Sequence, residues 1–254
     1  MHRIDRRVAV AGLALLSMAR RARAGKPERL SVEADDGSVE FTRYAADRTG
    51  TRPGVIVLHG TRGFELKRRA YERYANALSE KGIDGYLVRY LTDADVSAFN
   101  TTREKREAYE AIRYDGWSKR VSNVVTKILA RSDSSGRIGL LGFSLGGFVA
   151  AATAAHDERV SALAVMYGGM PDAVLSEVKH LPPLIELHGE ADRNVPFAKG
   201  EELIKLAKSV GAEAEQIAYP GEAHGFDFSD SDPMTADAIG RVVAFFEARL
   251  KGGG

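Results

Sequence analysis

Three residue types that together make a nucleophilic catalyst stand in this chain in a usable order: Ser144, Asp192 and His224. Ser144 lies in Gly142-Phe143-Ser144-Leu145-Gly146, a match to the pattern G-x-S-x-G. In that pattern the serine occupies a sharp strand-to-helix turn, where glycine on either side avoids clashes with nearby backbone and accepts unusual dihedrals. A serine hydroxyl attacks a carbonyl only when a base takes its proton, and the base needs a carboxylate to orient it. His224 follows a predicted strand in Pro220-Gly-Glu-Ala-His224-Gly-Phe, and Asp192 follows another in His188-Gly-Glu-Ala-Asp192-Arg-Asn-Val-Pro. The chemistry this implies is acyl transfer. Its oxyanion would rest on the Leu145 N–H, at the start of the following helix, and on the Thr61 N–H in His59-Gly60-Thr61-Arg62-Gly63, with Arg62 the next choice.

Such residues meet only if several strand ends converge. Arg29–Glu33 and Val39–Tyr44 alternate around Asp35-Asp36-Gly37, the signal of a hairpin at a sheet edge. The later strands (Gly54–Leu58, Ile83–Tyr90, Arg137–Leu141, Val160–Tyr167, Leu184–Leu187, Glu213–Tyr219) are largely apolar, as strands buried on both faces are. Helical spacing separates them over Leu66–Lys81, Ser118–Ala130, Phe148–Ala155, Pro196–Val210 and Asp232–Leu250. The expected fold is α/β, a three-layer α/β/α sandwich with a mostly parallel central sheet. The longest departure from alternation is Leu91–Trp117, read as a loop over Leu91–Asn100, a charged helix over Thr101–Arg113 and a break at Asp115-Gly116-Trp117. It could overhang the serine as a partial lid or lie as a solvated helix, and its interspersed charges favour the second.

Rival assignments are weaker. Glu190 is the alternative orienting carboxylate, but it comes too early in its turn. His59 and His188 read as histidines packed in turns, and His156 and His180 as surface residues. His188-x-Glu-x-Asp192 lacks the second histidine pair of a metal site, so neither a metal nor a cofactor is expected.

At 254 residues, 44% hydrophobic and 28% charged, the chain can form one domain with a sizeable core, expected over residues 25–251, with 252–254 a flexible tail. The absence of cysteine excludes disulfides and a thiol nucleophile. Residues 1–24 read as a signal peptide: a basic start, the apolar run Val8–Ala19, then Ala22-Arg23-Ala24 as a cleavage site. Arg6-Arg7 points to twin-arginine export, to the periplasm or beyond. That segment carries net +5 against +1 for the whole chain, leaving −4 and no basic patch for nucleic acid or membrane.

From about Arg29 to Leu250 the chain resembles the dienelactone hydrolase family of α/β-hydrolases. The residues that carry the likeness are Val55–Gly63, Gly139–Gly147, Leu187–Pro196 and Tyr219–Phe226. The resemblance implies a compact core with little or no cap, no metal, and hydrolysis of small esters or lactones. Two positions depart from it. The family's founding enzymes use a cysteine nucleophile controlled by a glutamate after the first central strand, where this chain has Ser144 and Gly60. That combination suits ordinary carboxylic esters better than dienelactone, with Arg62 or Arg89 as binders of a substrate carboxylate. The rival functions are a serine peptidase of the prolyl-oligopeptidase type, disfavoured because no accessory domain is evident, and a non-catalytic binding protein on the same fold.

Overall fold

The computed structural model describes residues 26–251, so the expected signal peptide and glycine tail lie outside the described residues. Eight strands form one sheet in the order β1-β2-β4-β3-β5-β6-β7-β8. β1 (Glu28–Ala34) and β2 (Gly37–Tyr44) make the edge hairpin, with Leu30 opposite Phe41, and β2 runs antiparallel to β4 (Asp84–Val88). All remaining pairs are parallel: β4 with β3 (Arg52–Leu58), then β5 (Ser134–Phe143), β6 (Val160–Met166), β7 (Leu184–Gly189) and β8 (Ala214–Tyr219). Parallel strands need crossovers, and the crossovers cover both faces. One face buries Trp117, Val121, Val149 and Leu203 from α3 (Arg103–Leu129), α4 (Leu145–His156) and α5 (Phe197–Ser209). The other buries Tyr71, Tyr74, Val242 and Phe246 from α1 (Arg68–Glu80) and α6 (Pro233–Lys251). The result is the expected three-layer sandwich. No described helix is long and apolar enough to cross a membrane.

Leu91–Trp117 departs from the expectation twice. Asp93–Ala98 is a short helix, α2, where a loop was expected. Thr92 caps it: the Asp95 N–H donates to Thr92 Oγ1, and the Thr92 N–H donates to Asp95 in return. Beyond it, α3 is one continuous helix of 27 residues running straight through Gly116. A single glycine costs a helix only about 1 kcal/mol. Trp117 outweighs that, being fully buried with its ring edge-on to Tyr90, Phe99 and Tyr114.

Asp95 ties α2 to α3 and is itself wholly buried. It accepts from Thr92, from the Tyr109 hydroxyl at 2.8 Å and from Arg113 Nε at 2.9 Å. Burial alone would raise its pKa, but Arg113 and the Thr92 and Tyr109 donors hold it at about 2. A depressed folded pKa contributes stability that is present above about pH 4 and lost as pH falls towards 2, here about 2 kcal/mol. Asp95→Asn is therefore expected to cost about 2–4 kcal/mol in urea melts at pH 7. The gap to wild type should narrow at pH 3; an equal gap at both would contradict this account.

Candidate active site

Ser144 follows β5 directly and is the cap residue of α4, with φ 54° and ψ −122°. This is a left-handed conformation that a residue with a Cβ adopts only under constraint. The strain therefore belongs to the serine, while the two glycines answer to crowding. A Cβ on Gly142 would strike the Gly146 carbonyl, and one on Gly146 would lie 2.5 Å from the His59 carbonyl oxygen and against that of Leu58. The turn is fastened by the Ser144 N–H donating to Met166 O in β6 at 2.9 Å. Ser144 Oγ is thereby raised above the sheet's carboxyl edge.

Two loops at the same edge bring its partners. His224 Nε2 lies 3.0 Å from Ser144 Oγ, and His224 Nδ1 lies 2.7 Å from Asp192 Oδ2. Asp192 is buried, and its Oδ1 accepts the Asn194 and Val195 N–H groups at 2.8 and 3.0 Å. Burial works against its charge, yet the donors of His188, His224 and Val195 hold its carboxyl far below the usual range. The loops are stitched together by Ala191 N–H to Glu222 O and Glu190 N–H to Tyr219 O. Glu190, the rival carboxylate, points to solvent.

Behind His224 stands a support that sequence reasoning missed. Asp227 is wholly buried and accepts the Tyr74 hydroxyl at 2.7 Å and the Tyr167 hydroxyl at 2.9 Å. Burial pushes its carboxyl up and the two hydroxyls oppose that. Tyr167 lies edge-on to the His224 ring at 4.6 Å and has φ 42°. Ser144 and Tyr167 are the two non-glycine residues with positive φ among those described, and both touch His224. An aspartate following His-Gly-Phe in an apolar setting was the available signal.

The β3 loop closes on the serine from the other side. A Cβ on Gly60 would sit 3.4 Å from Ser144 Cβ. The Gly60 N–H donates to the Tyr71 hydroxyl, and the Tyr90 hydroxyl donates to His59 O. Thr61 and Leu145 both line the cleft above Ser144. His59 is buried, stacked on Tyr90, and burial holds its pKa down to about 4, so it stays neutral.

That cleft encloses about 1630 Å³. One wall consists of Val96, Phe99, Arg103, Arg106, Glu110 and Tyr114, so Leu91–Trp117 borders the serine instead of lying off as a solvated helix. Burial lifts the Glu110 carboxyl to about 7. Arg62 lines the cleft, but Arg89 does not. It pairs with Glu65 in a separate hollow beside Phe64 and Arg68, because alternation along the extended chain turns Tyr90 inward and Arg89 away. Of the two alternative binders of a substrate carboxylate, the structure places Arg62 at the cleft and Arg89 away from it.

Known proteins share this architecture. A dienelactone hydrolase from Anabaena variabilis superposes with TM-score 0.71 at 19% identity, covering 89% of this chain and 98% of its own. The Pyrococcus horikoshii acylaminoacyl peptidase gives TM-score 0.69 at 15% identity, over 91% of this chain and 43% of its own. At these identities the likeness shows the fold. A candidate carboxymethylenebutenolidase of Methylorubrum extorquens is 28% identical over 101 residues, 35% of this chain and about a third (34%) of the relative's length. The profile of the Dienelactone hydrolase family matches residues 41–250, and the chain belongs to that family.

Proposed function

We propose that this protein hydrolyses small carboxylic esters or lactones with Ser144 as nucleophile, through an acyl-enzyme. The observation that carries the reading is the unbroken line from Asp192 Oδ2 through His224 to Ser144 Oγ, at 2.7 and 3.0 Å. His224 takes the Ser144 proton as Oγ attacks the carbonyl carbon. The N–H groups of Leu145 and Thr61 stabilise the negative oxygen that forms. Asp192 fixes the His224 tautomer with hydrogen on Nδ1 and stabilises the imidazolium. The imidazolium returns its proton to the leaving alkoxide, and water repeats the sequence to release the acid. Ser144 in place of the cysteine of the founding enzymes, with Gly60 rather than a glutamate beside it, fits a nucleophile activated by a base. Acidification should abolish activity, since a protonated His224 cannot accept the serine proton.

A fluorophosphonate provides the test. Intact mass should show one adduct per chain, formed at least about 10³-fold more slowly in His224→Gln. Folded wild-type protein that takes up no adduct would defeat the proposal. Matched esters and aminoacyl amides, assayed side by side, then separate an esterase from a peptidase. We also propose that residues 1–24 direct export, which the mass of exported protein tests: a chain beginning at Met1 excludes it.

A further inference from the structure

Directly behind Asp192, and outside the proposed Ser144–His224–Asp192 line, lies a second pair of buried titratable groups. His188, at the end of β7, and Glu186, two residues before it, are both completely shielded from solvent. His188 Nδ1 lies 2.8 Å from Glu186 Oε1. His188 Nε2 lies 3.0 Å from the Val195 carbonyl oxygen and 3.3 Å from Asp192 Oδ2, the oxygen that also faces His224. Both ring nitrogens thus face acceptors.

Counting donors fixes the charges. A neutral imidazole has one nitrogen that carries no hydrogen, and here that nitrogen would meet an oxygen lone pair. The escapes are for Glu186 or Asp192 to hold the proton. But the other Glu186 oxygen, Oε2, accepts from Gln216 Nε2 on β8 at 2.9 Å, so each carboxylate oxygen faces a side-chain donor. Burial pushes the Glu186 carboxyl up, but the hydrogens of His188 and Gln216 on its two oxygens oppose that. With a donor on each oxygen, Glu186 is the ionised partner and His188 carries both hydrogens. Burial opposes a charged His188, yet Asp192 and Glu186 lift its pKa to about 9. Phe197 presents its ring edge-on to His188 at 5.5 Å, and α5 packs so closely that a Cβ on Gly200 would lie 2.5 Å from Glu186 Oε2. Asp192, with donors on both oxygens, is ionised as well.

We propose that His188 is a positioning residue, a permanent imidazolium clamped between Glu186 and Asp192 that keeps the Asp192 carboxylate ionised and turned towards His224. The buried groups then alternate in charge from β7 outwards: Glu186 negative, His188 positive, Asp192 negative, His224 neutral until it takes the serine proton. The cation stands one carboxylate away from the base and adds fixed positive charge to the buried line that ends on it. It therefore extends catalysis to lower pH than Asp192 and His224 alone would allow.

The test has two arms. In ¹H–¹⁵N spectra of wild-type protein at pH 7, both His188 ring nitrogens should carry hydrogen, and Glu186→Gln should lower the pH of its titration by about a unit or more. This arm needs no activity. The second arm rests on the proposed hydrolysis. The double variant Glu186→Gln/His188→Gln removes the ion pair while its amides keep neutral hydrogen bonds to Asp192 and Val195. Its acid limb of kcat/KM should move up by about half a unit to one unit, with KM little changed. A His188 nitrogen without hydrogen at pH 7 would overturn the proposal. So would a double variant that loses stability or kcat but keeps the wild-type acid limb, which is what a merely structural role predicts. If the double variant does not fold, the wild-type spectrum alone decides. If the protein hydrolyses no ester, only the proposed function falls.

Discussion

Ser144→Ala is expected to lower kcat for ester hydrolysis by about 10⁴–10⁶-fold, with KM changed far less. The reason is geometric. Removing Oγ leaves His224 Nε2 facing an empty position 3.0 Å away, while Asp192, the cleft walls and the Leu145 and Thr61 amides remain in place. Whatever rate survives measures what those amides and substrate binding achieve without a nucleophile. The fold should hardly notice, with a change within about 1 kcal/mol. Alanine keeps the Cβ that makes φ 54° costly, so it relieves none of the strain. Ser144→Gly should be equally inactive yet more stable by about 1 kcal/mol, because glycine takes that φ freely. Urea melts beside initial rates would check both. A Ser144→Ala protein retaining a tenth of wild-type turnover would remove Ser144 from the mechanism.

Gly146→Ala is expected to destabilise the protein by about 3–4 kcal/mol, or to prevent its accumulation as soluble protein. Its added methyl would fall 2.5 Å from the His59 carbonyl oxygen, and the other obstacle is the Leu58 carbonyl, also main chain. Neither can rotate aside as a side chain would. α4 and the end of β3 would have to part, drawing Gly60 and Thr61 away from Ser144, so any folded remainder should also lose activity. Gly240→Ala is the control: this glycine lies exposed on α6 with nothing within 4 Å of the added carbon. There the change should stabilise by about 0.5–1 kcal/mol through helix propensity alone. Equal denaturation midpoints for the two variants would show that the crowding at Gly146 carries no cost.

The sheet, and the meeting of Ser144, Asp192 and His224, were legible because each rests on local punctuation: an apolar run, then glycine, then a polar loop. Strand ends collect at one edge of a parallel sheet, so naming the strands named the edge. What escaped depends on burial, which one-dimensional pattern does not report. Asp115-Gly116 reads as a break, yet Trp117 sinks into the core and carries α3 through it. Likewise Glu186 follows Leu184 and Ile185 in a buried strand, and only the fold reveals that Gln216 and His188 place a donor on each of its oxygens. His188 reads as turn packing because its acceptors, Glu186 in β7 and Val195 and Asp192 in the following loop, come together only when that loop folds back on the strand. Arg89 was misplaced by one step of alternation, which separates the cleft from the hollow beside Phe64.

The unbroken course of α3 has an evolutionary consequence. Its cleft-lining residues, Arg103, Arg106, Glu107, Glu110, Ala111 and Tyr114, recur at intervals of three and four and so form one rank along a single rod. The groups that would break bonds hang instead from strand ends. This cleft wall and the groups that would react thereby sit on separate pieces of backbone, and α3 offers one rank of positions open to change. Mutation can retype that rank, altering size or charge at one position at a time, while the rod stays anchored through Trp117, Val121 and Val124 beneath. A lineage bearing this helix can change its diet without rebuilding its teeth.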